Sequence, residues 1–253
     1  MQPLAPRYVS TVDSGNLAAH LLILAAGLKE LRLQTVFEPQ YISSLSTCLQ
    51  LAEAQLLPTQ YVKLTATLQS YFAMSDFNLV KVYDLLSTLL ANREAELQTE
   101  RTFSAAALTS AESFWHQCEH AVAELDLMCP WLIAIHRGQL ARFADCSTLT
   151  RPLTLQELVG VANLLSIEVE ADDRNSIQDR QEWEIALLMC SQAALAAQMR
   201  IDQITRLSRE VQDLAEIEYG FLFDPASKLL SIGYNVSEKR LDTGSYDLLA
   251  SEA

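Results

Sequence analysis

From Ile177 to Glu218 the chain runs without a single Gly or Pro, which predicts one long helix. Within it, Arg200 to Glu216 sets Ile201, Ile204, Leu207, Val211 and Leu214 on one side and mixed charges on the other. That run is short for a coiled coil, and the pattern suits a helix of a bundle or barrel better. The same scarcity extends to the whole chain, where 7 Gly and 7 Pro among 253 residues are too few for the turns of an all-β protein. Half the residues are hydrophobic, enough to bury a substantial core. The expected class is all-α, or nearly so.

Helices are expected at Leu17–Leu31, where Leu17, Leu21, Leu24, Leu28 and Leu31 recur at three- and four-residue steps, and near 40–56, 59–73 and 76–99. Others are expected near 104–127, 131–143 and 154–166, with a polar loop over Glu168–Asn175. Residues 1–16 read as an extended lead-in. Over 219–236, Phe221–Phe223 and Leu229–Tyr234 flank Asp224-Pro225-Ala226-Ser227-Lys228, which predicts one small β-hairpin. Residues 245–253 begin a helix that the sequence does not close. No internal repeat is evident, and the chain reads as one incomplete domain spanning 1–253.

A formal charge of −14 disfavours a general nucleic-acid binder and docking on an anionic membrane, since both need a positive surface, and its plainest reading is simple solubility. Neutral partners such as sugars remain compatible. Five scattered cysteines (Cys48, Cys118, Cys129, Cys146, Cys190) lack any metal-ligand spacing and suit reduced thiols in a cytosolic compartment. The apolar run Leu17–Leu28, interrupted by His20, reads as too short to span a bilayer. His116 and His120 share a helix face, but nothing nearby completes a metal site. There is no phosphate loop, dinucleotide fingerprint or nucleophile elbow, and no cofactor is called for.

Two segments hold chemistry worth weighing. In Tyr8–Leu17, polar groups crowd a loop that runs into a helix. Asp13 or Ser14 either caps that helix or joins a polar rim that grips a hydroxyl-rich ligand. In Tyr246–Ala253, Glu252 falls three and four residues after Leu249 and Leu248, on the apolar side of a helix. It is either an exposed helical carboxylate or one placed for catalysis.

Three blocks carry a family resemblance. Pro6-Arg7-Tyr8-Val9-Ser10-Thr11-Val12-Asp13-Ser14-Gly15-Asn16-Leu17-Ala18 is the first. Phe221-Leu222-Phe223-Asp224 followed by Leu229-Leu230-Ser231-Ile232-Gly233-Tyr234-Asn235-Val236 is the second, and Tyr246-Asp247-Leu248-Leu249-Ala250-Ser251-Glu252-Ala253 is the third. In this order they resemble the cyclic β-1,2-glucan synthases, large bacterial inner-membrane proteins with cytoplasmic catalytic parts. The resemblance implies the N-terminal half of the central cyclisation domain, which is similar to β-1,2-glucanases and folds as an (α/α)6 barrel. Cyclisation there is retaining intramolecular transglycosylation of a linear β-1,2-glucan. By motif position Glu252 is the candidate nucleophile or base, and Asp13, Asn16, Tyr246 and Asp247 are candidates for gripping glucose hydroxyls. The partner acid is expected beyond residue 253, leaving this stretch inactive alone and dependent on the remaining domains. The segment itself is expected to be soluble, without membrane insertion. The competing reading is a non-catalytic helical scaffold or interaction module.

Overall fold

The computed structural model describes residues 7–56, 58–72, 77–96, 108–169 and 177–246. The chain is mostly helical with a few short strands. In chain order the elements are β1 (Tyr8–Ser10), α1 (Thr11–Leu31), α2 (Pro39–Ala52), α3 (Pro58–Phe72), α4 (Leu79–Glu96), α5 (Leu108–Met128), α6 (Trp131–His136), α7 (Ser147–Thr150), α8 (Leu155–Val159), α9 (Val161–Val169), α10 (Ile177–Ala215), β2 (Phe223–Asp224), β3 (Leu229–Ser231), β4 (Gly233–Asn235), β5 (Arg240–Leu241) and β6 (Ser245–Tyr246). They form two compact units, one of residues 32–201 and one of residues 1–31 with 202–253, and the division falls within α10.

The larger unit is helix on helix. Ile42, Leu45, Leu49 and Ala52 of α2 are buried at three- and four-residue steps, as are Phe114, Cys118, Ala121, Leu125 and Met128 of α5, so each helix turns one stripe inward. Leu79, Val82, Leu86 and Leu89 of α4 complete this core. Trp131 is wholly buried, and its indole N–H donates to the carbonyl of Leu149 at 2.7 Å, which removes the cost of sealing off a polar group. Helix α10 buries mainly small residues here, Ala186, Cys190, Ala193 and Ala197, with Ile201 as the larger exception at the boundary of the unit. Its other side stays in solvent, with Leu188, Leu195 and Met199 more than half exposed.

Two expected helices are shorter. The one near 131–143 stops at His136, because Gly138 takes φ +74° and its N–H donates back to Ile135. The one near 154–166 divides at Gly160, after a capping box in which Thr154 and Glu157 each satisfy the other's backbone N–H. All five cysteines are free; Cys118, Cys129 and Cys190 are buried, while Cys48 and Cys146 are half-buried. His116 and His120 lie exposed, and His116 pairs with Glu119 at 3.1 Å.

In the smaller unit the expected lead-in is corrected. Thr11–Asn16 are not extended; they are the first turns of α1. The leucine stripe also divides, because α1 buries Thr11 and Ala25 and half-buries Ser14, Ala18, Leu21 and Leu28, leaving Leu17, Leu24 and Leu31 outside. The stripe on α10 shifts in the same way: Ile201 and Ile204 are buried, but Ser208 replaces Leu207 and Leu214 as the next inward residue. The cause is close packing, since Ser208 Oγ donates to the carbonyl of Ala25 at 3.0 Å, where a leucine would hold the helices apart. At 21 residues, α1 is also longer than the apolar run suggested, and by length and composition it could cross a membrane.

Candidate functional site

The hairpin expected at 219–236 is one part of two three-stranded antiparallel sheets, ordered β1-β4-β5 and β2-β3-β6. The β2–β3 turn is built by Asp224. Its carboxylate accepts from the N–H groups of Ala226 and Ser227 and from the Ser227 hydroxyl, at 2.7 to 3.2 Å, while Lys228 takes φ 60°. These donors, the Ser227 hydroxyl first, hold the Asp224 carboxyl below its usual range.

Strands β3 and β4 are separated by Ile232 alone, and the chain turns there from one sheet into the other. This corner receives the start of α1. The Thr11 N–H donates to the Ile232 carbonyl at 3.0 Å, and its hydroxyl to the Ser231 carbonyl at 2.6 Å. The Ser231 hydroxyl reaches the carbonyls of Gly233 and Asp242 at 3.0 and 2.9 Å. Tyr8 lies over Gly233 and donates its hydroxyl to the Asp242 carboxylate. A Cβ on Gly233 would stand 2.6 Å from the Tyr8 ring and collide with the Val9 carbonyl, so glycine is required by this close approach. On the far side, Ile232 N–H donates to the Gly244 carbonyl at 2.9 Å, and β6 pairs Tyr246 opposite Leu230.

Segments more than two hundred residues apart in sequence thus meet around one corner: 8–14 from the first block, 229–236 from the second, and Gly244–Tyr246 leading into the third. The helix cap is Ser10 rather than Asp13 or Ser14. Ser10 Oγ accepts from the N–H of Asp13 at 3.2 Å, and Ser14 turns its hydroxyl back to the Ser10 carbonyl at 2.6 Å. Asp13 and Asn16 are therefore on the surface of the first two turns of α1, both exposed. Ser245–Tyr246, expected to start a helix, form the last described strand. The side chain of Tyr246 and all of Asp247 and Glu252 lie outside the described residues.

Asp242 and Asp224 are committed to Tyr8 and to a turn. Asp13 is an exposed carboxylate at this end of α1. No group of His, Cys, Asp and Glu that could hold a metal ion occurs among the described residues. Sequence reasoning missed Thr11, Ser231 and Asp242, because their partners are reached only across strand pairs. Only Ser10, spaced three before Asp13, carried a local signal.

No family model matches the chain. Along its whole length, over 254 residues, the chain is 29% identical to the cyclic beta-(1,2)-glucan synthase NdvB of Rhizobium meliloti (strain 1021). The match covers 7% of that protein, so the chain spans a small part of the relative's length. The chain is related in sequence to one stretch of a much larger glucan synthase.

Proposed function

We propose that this chain is the N-terminal half of the domain with which a cyclic β-1,2-glucan synthase closes its linear product, by retaining intramolecular transglycosylation. One observation supports the reading: the first two blocks that resemble the synthases meet around a single corner of the fold, and Tyr246, the first residue of the third, pairs with Leu230 beside it. The end-to-end similarity to a glucan synthase supports the same reading.

In this mechanism two carboxyl groups flank the scissile bond. One attacks the anomeric carbon while the other protonates the departing oxygen, and a hydroxyl at the glucan's other end then displaces the enzyme. We assign Glu252 as the nucleophile, or as the base that assists attack, and place the partner acid in the remaining polypeptide. Asp13, Asn16, Tyr246 and Asp247 bind glucose hydroxyls. The helices described above are then part of an (α/α)6 barrel whose other helices come from the same larger protein, on the cytoplasmic side of a bacterial inner membrane. The partners are the β-1,2-glucan chain and the remaining domains; nucleic acid is not among them, and this segment is soluble.

The test has two arms. The isolated chain should neither hydrolyse nor cyclise β-1,2-glucan, and robust turnover by it would sink the missing-acid assignment. In the complete enzyme, Glu252→Gln should lower cyclisation on the order of 10³-fold or more, while retained activity would remove Glu252 from the mechanism.

A further inference from the structure

Asp242 lies outside all three resembling blocks, yet it touches two of them and stands four residues before the third. Its N–H donates to the Gly233 carbonyl at 3.0 Å, and its own carbonyl accepts the Ser231 hydroxyl at 2.9 Å. Its carboxylate accepts the hydroxyl of Tyr8. Register explains the reach. Tyr8 pairs with Asn235 and Ser10 with Gly233, so Tyr8 and Gly233 share one face of the sheet. Tyr234 pairs with Leu241, which sets Asp242 beside Gly233 on that same face. Gly233 has no side chain, so the Tyr8 ring crosses it and its hydroxyl meets Asp242.

The residues that follow are held by backbone. The Gly244 carbonyl accepts from the Ile232 N–H at 2.9 Å, and Ser245 and Tyr246 pair with Ser231 and Leu230. The described pairing of β6 is two residues long, which specifies its register weakly. A slip by one residue would turn every following side chain to the other face of the sheet. The anchor just before the strand therefore decides how the chain leaves it. That anchor is Asp242, with Tyr8 and Ser231 as its side-chain partners.

We infer that Asp242, held by Tyr8, is a positioning residue for cyclisation: it fixes the register in which the chain leaves β6 toward Glu252. This rests on the function proposed above, in which Glu252 is the nucleophile or base. Asp242 acts through the backbone of β6 and not on the glucan. A reacting group displaced by about 1 Å loses on the order of 10²-fold in rate. Hydrogen bonds to sugar hydroxyls tolerate such a shift better, and Asp13 and Asn16, on α1, are not carried by β6. Loosening the anchor therefore damages turnover more than binding.

The test measures cyclisation of linear β-1,2-glucan by the complete enzyme, with rates normalised to the folded fraction. Tyr8→Phe keeps the ring over Gly233 and removes only the hydroxyl. It should lower kcat about 10- to 100-fold, while KM changes less than about threefold. Asp242→Ala should do the same, and the double variant should be no worse than either alone, because the pair acts as one unit. Asp242→Asn keeps an acceptor oxygen for the Tyr8 hydroxyl and should recover most of the loss. A tie that serves stability alone would lower the unfolding midpoint and leave kcat per folded molecule unchanged, and that result overturns the inference. So do a raised KM with kcat intact, which makes the pair a binding element, and losses that multiply in the double variant. If Glu252→Gln stops turnover while Tyr8→Phe does not slow it, only this inference falls. If Glu252→Gln stays active, the proposed role of Glu252 falls and takes the inference with it.

Discussion

Single residues here matter most where backbone meets backbone. Gly233→Ala introduces a methyl group against the Tyr8 ring and the Val9 carbonyl, in a strand pair that cannot shift without breaking the α1 cap. The expected loss is about 1–3 kcal/mol of stability, the usual range for overpacking, measured by denaturant unfolding. Glu168 acts by charge. Burial alone would push its carboxyl up, but bonds from Thr148, Ser147 and Cys146 outweigh this and hold it near 2. A depressed carboxyl contributes stability that is full above its ordinary range near 4.5 and is lost as pH falls through about 2. The group is exposed, so solvent screening reduces the contribution to about 1 kcal/mol. Wild type should therefore lose more stability than Glu168→Gln between pH 5 and pH 2 by roughly that amount; parallel pH profiles would refute the assignment.

At the scale of elements, α10 shows two opposite uses of a helix surface. Its inward stripe is Ala186, Cys190, Ala193 and Ala197, and Ala193→Leu should cost about 1–3 kcal/mol because the added carbons have no space to enter. Its outward side carries Leu188, Leu195 and Met199 in solvent. Leu195→Gln should change the unfolding free energy by less than about 0.5 kcal/mol and still reduce binding of an apolar dye. The pair separates burial from mere hydrophobicity. A ranking by hydropathy alone would forecast the reverse order of damage. The short strands follow the same logic, since only their register with distant partners, such as Val9 opposite Tyr234, gives them a place.

For the molecule as a whole, net charge and apolar surface act against each other. At neutral pH the charge of −14 keeps chains apart although many large apolar side chains remain exposed. Titration toward the isoelectric point near 4.6 removes that repulsion, so turbidity should rise steeply there and should fall again at lower pH. A solubility curve flat through that point would mean the exposed faces are not adhesive.

What the sequence determined by itself is the helical class and the elements whose signals are local. The absence of Gly and Pro from 177 to 218 forced α10, Pro39 and Pro58 marked helix starts, and Asp224 to Ser227 specified a turn. These follow from short-range sterics and hydrogen bonds, which neighbouring residues settle among themselves. Which side of each helix faces inward was decided by tertiary structure. In α1 the leucines looked like the core stripe, yet Ala25 and Thr11 are buried, because Ser208 and the Ile232 corner bring backbones too close for large side chains. The same holds for the site. The identities of Asp13 and Asn16 were legible, but their position beside the corner of β3 and β4 depended on the pairing of β1 with β4, across more than two hundred residues. Helix periodicity says that a side is apolar; only the partner's shape decides whether small or large side chains occupy the contact.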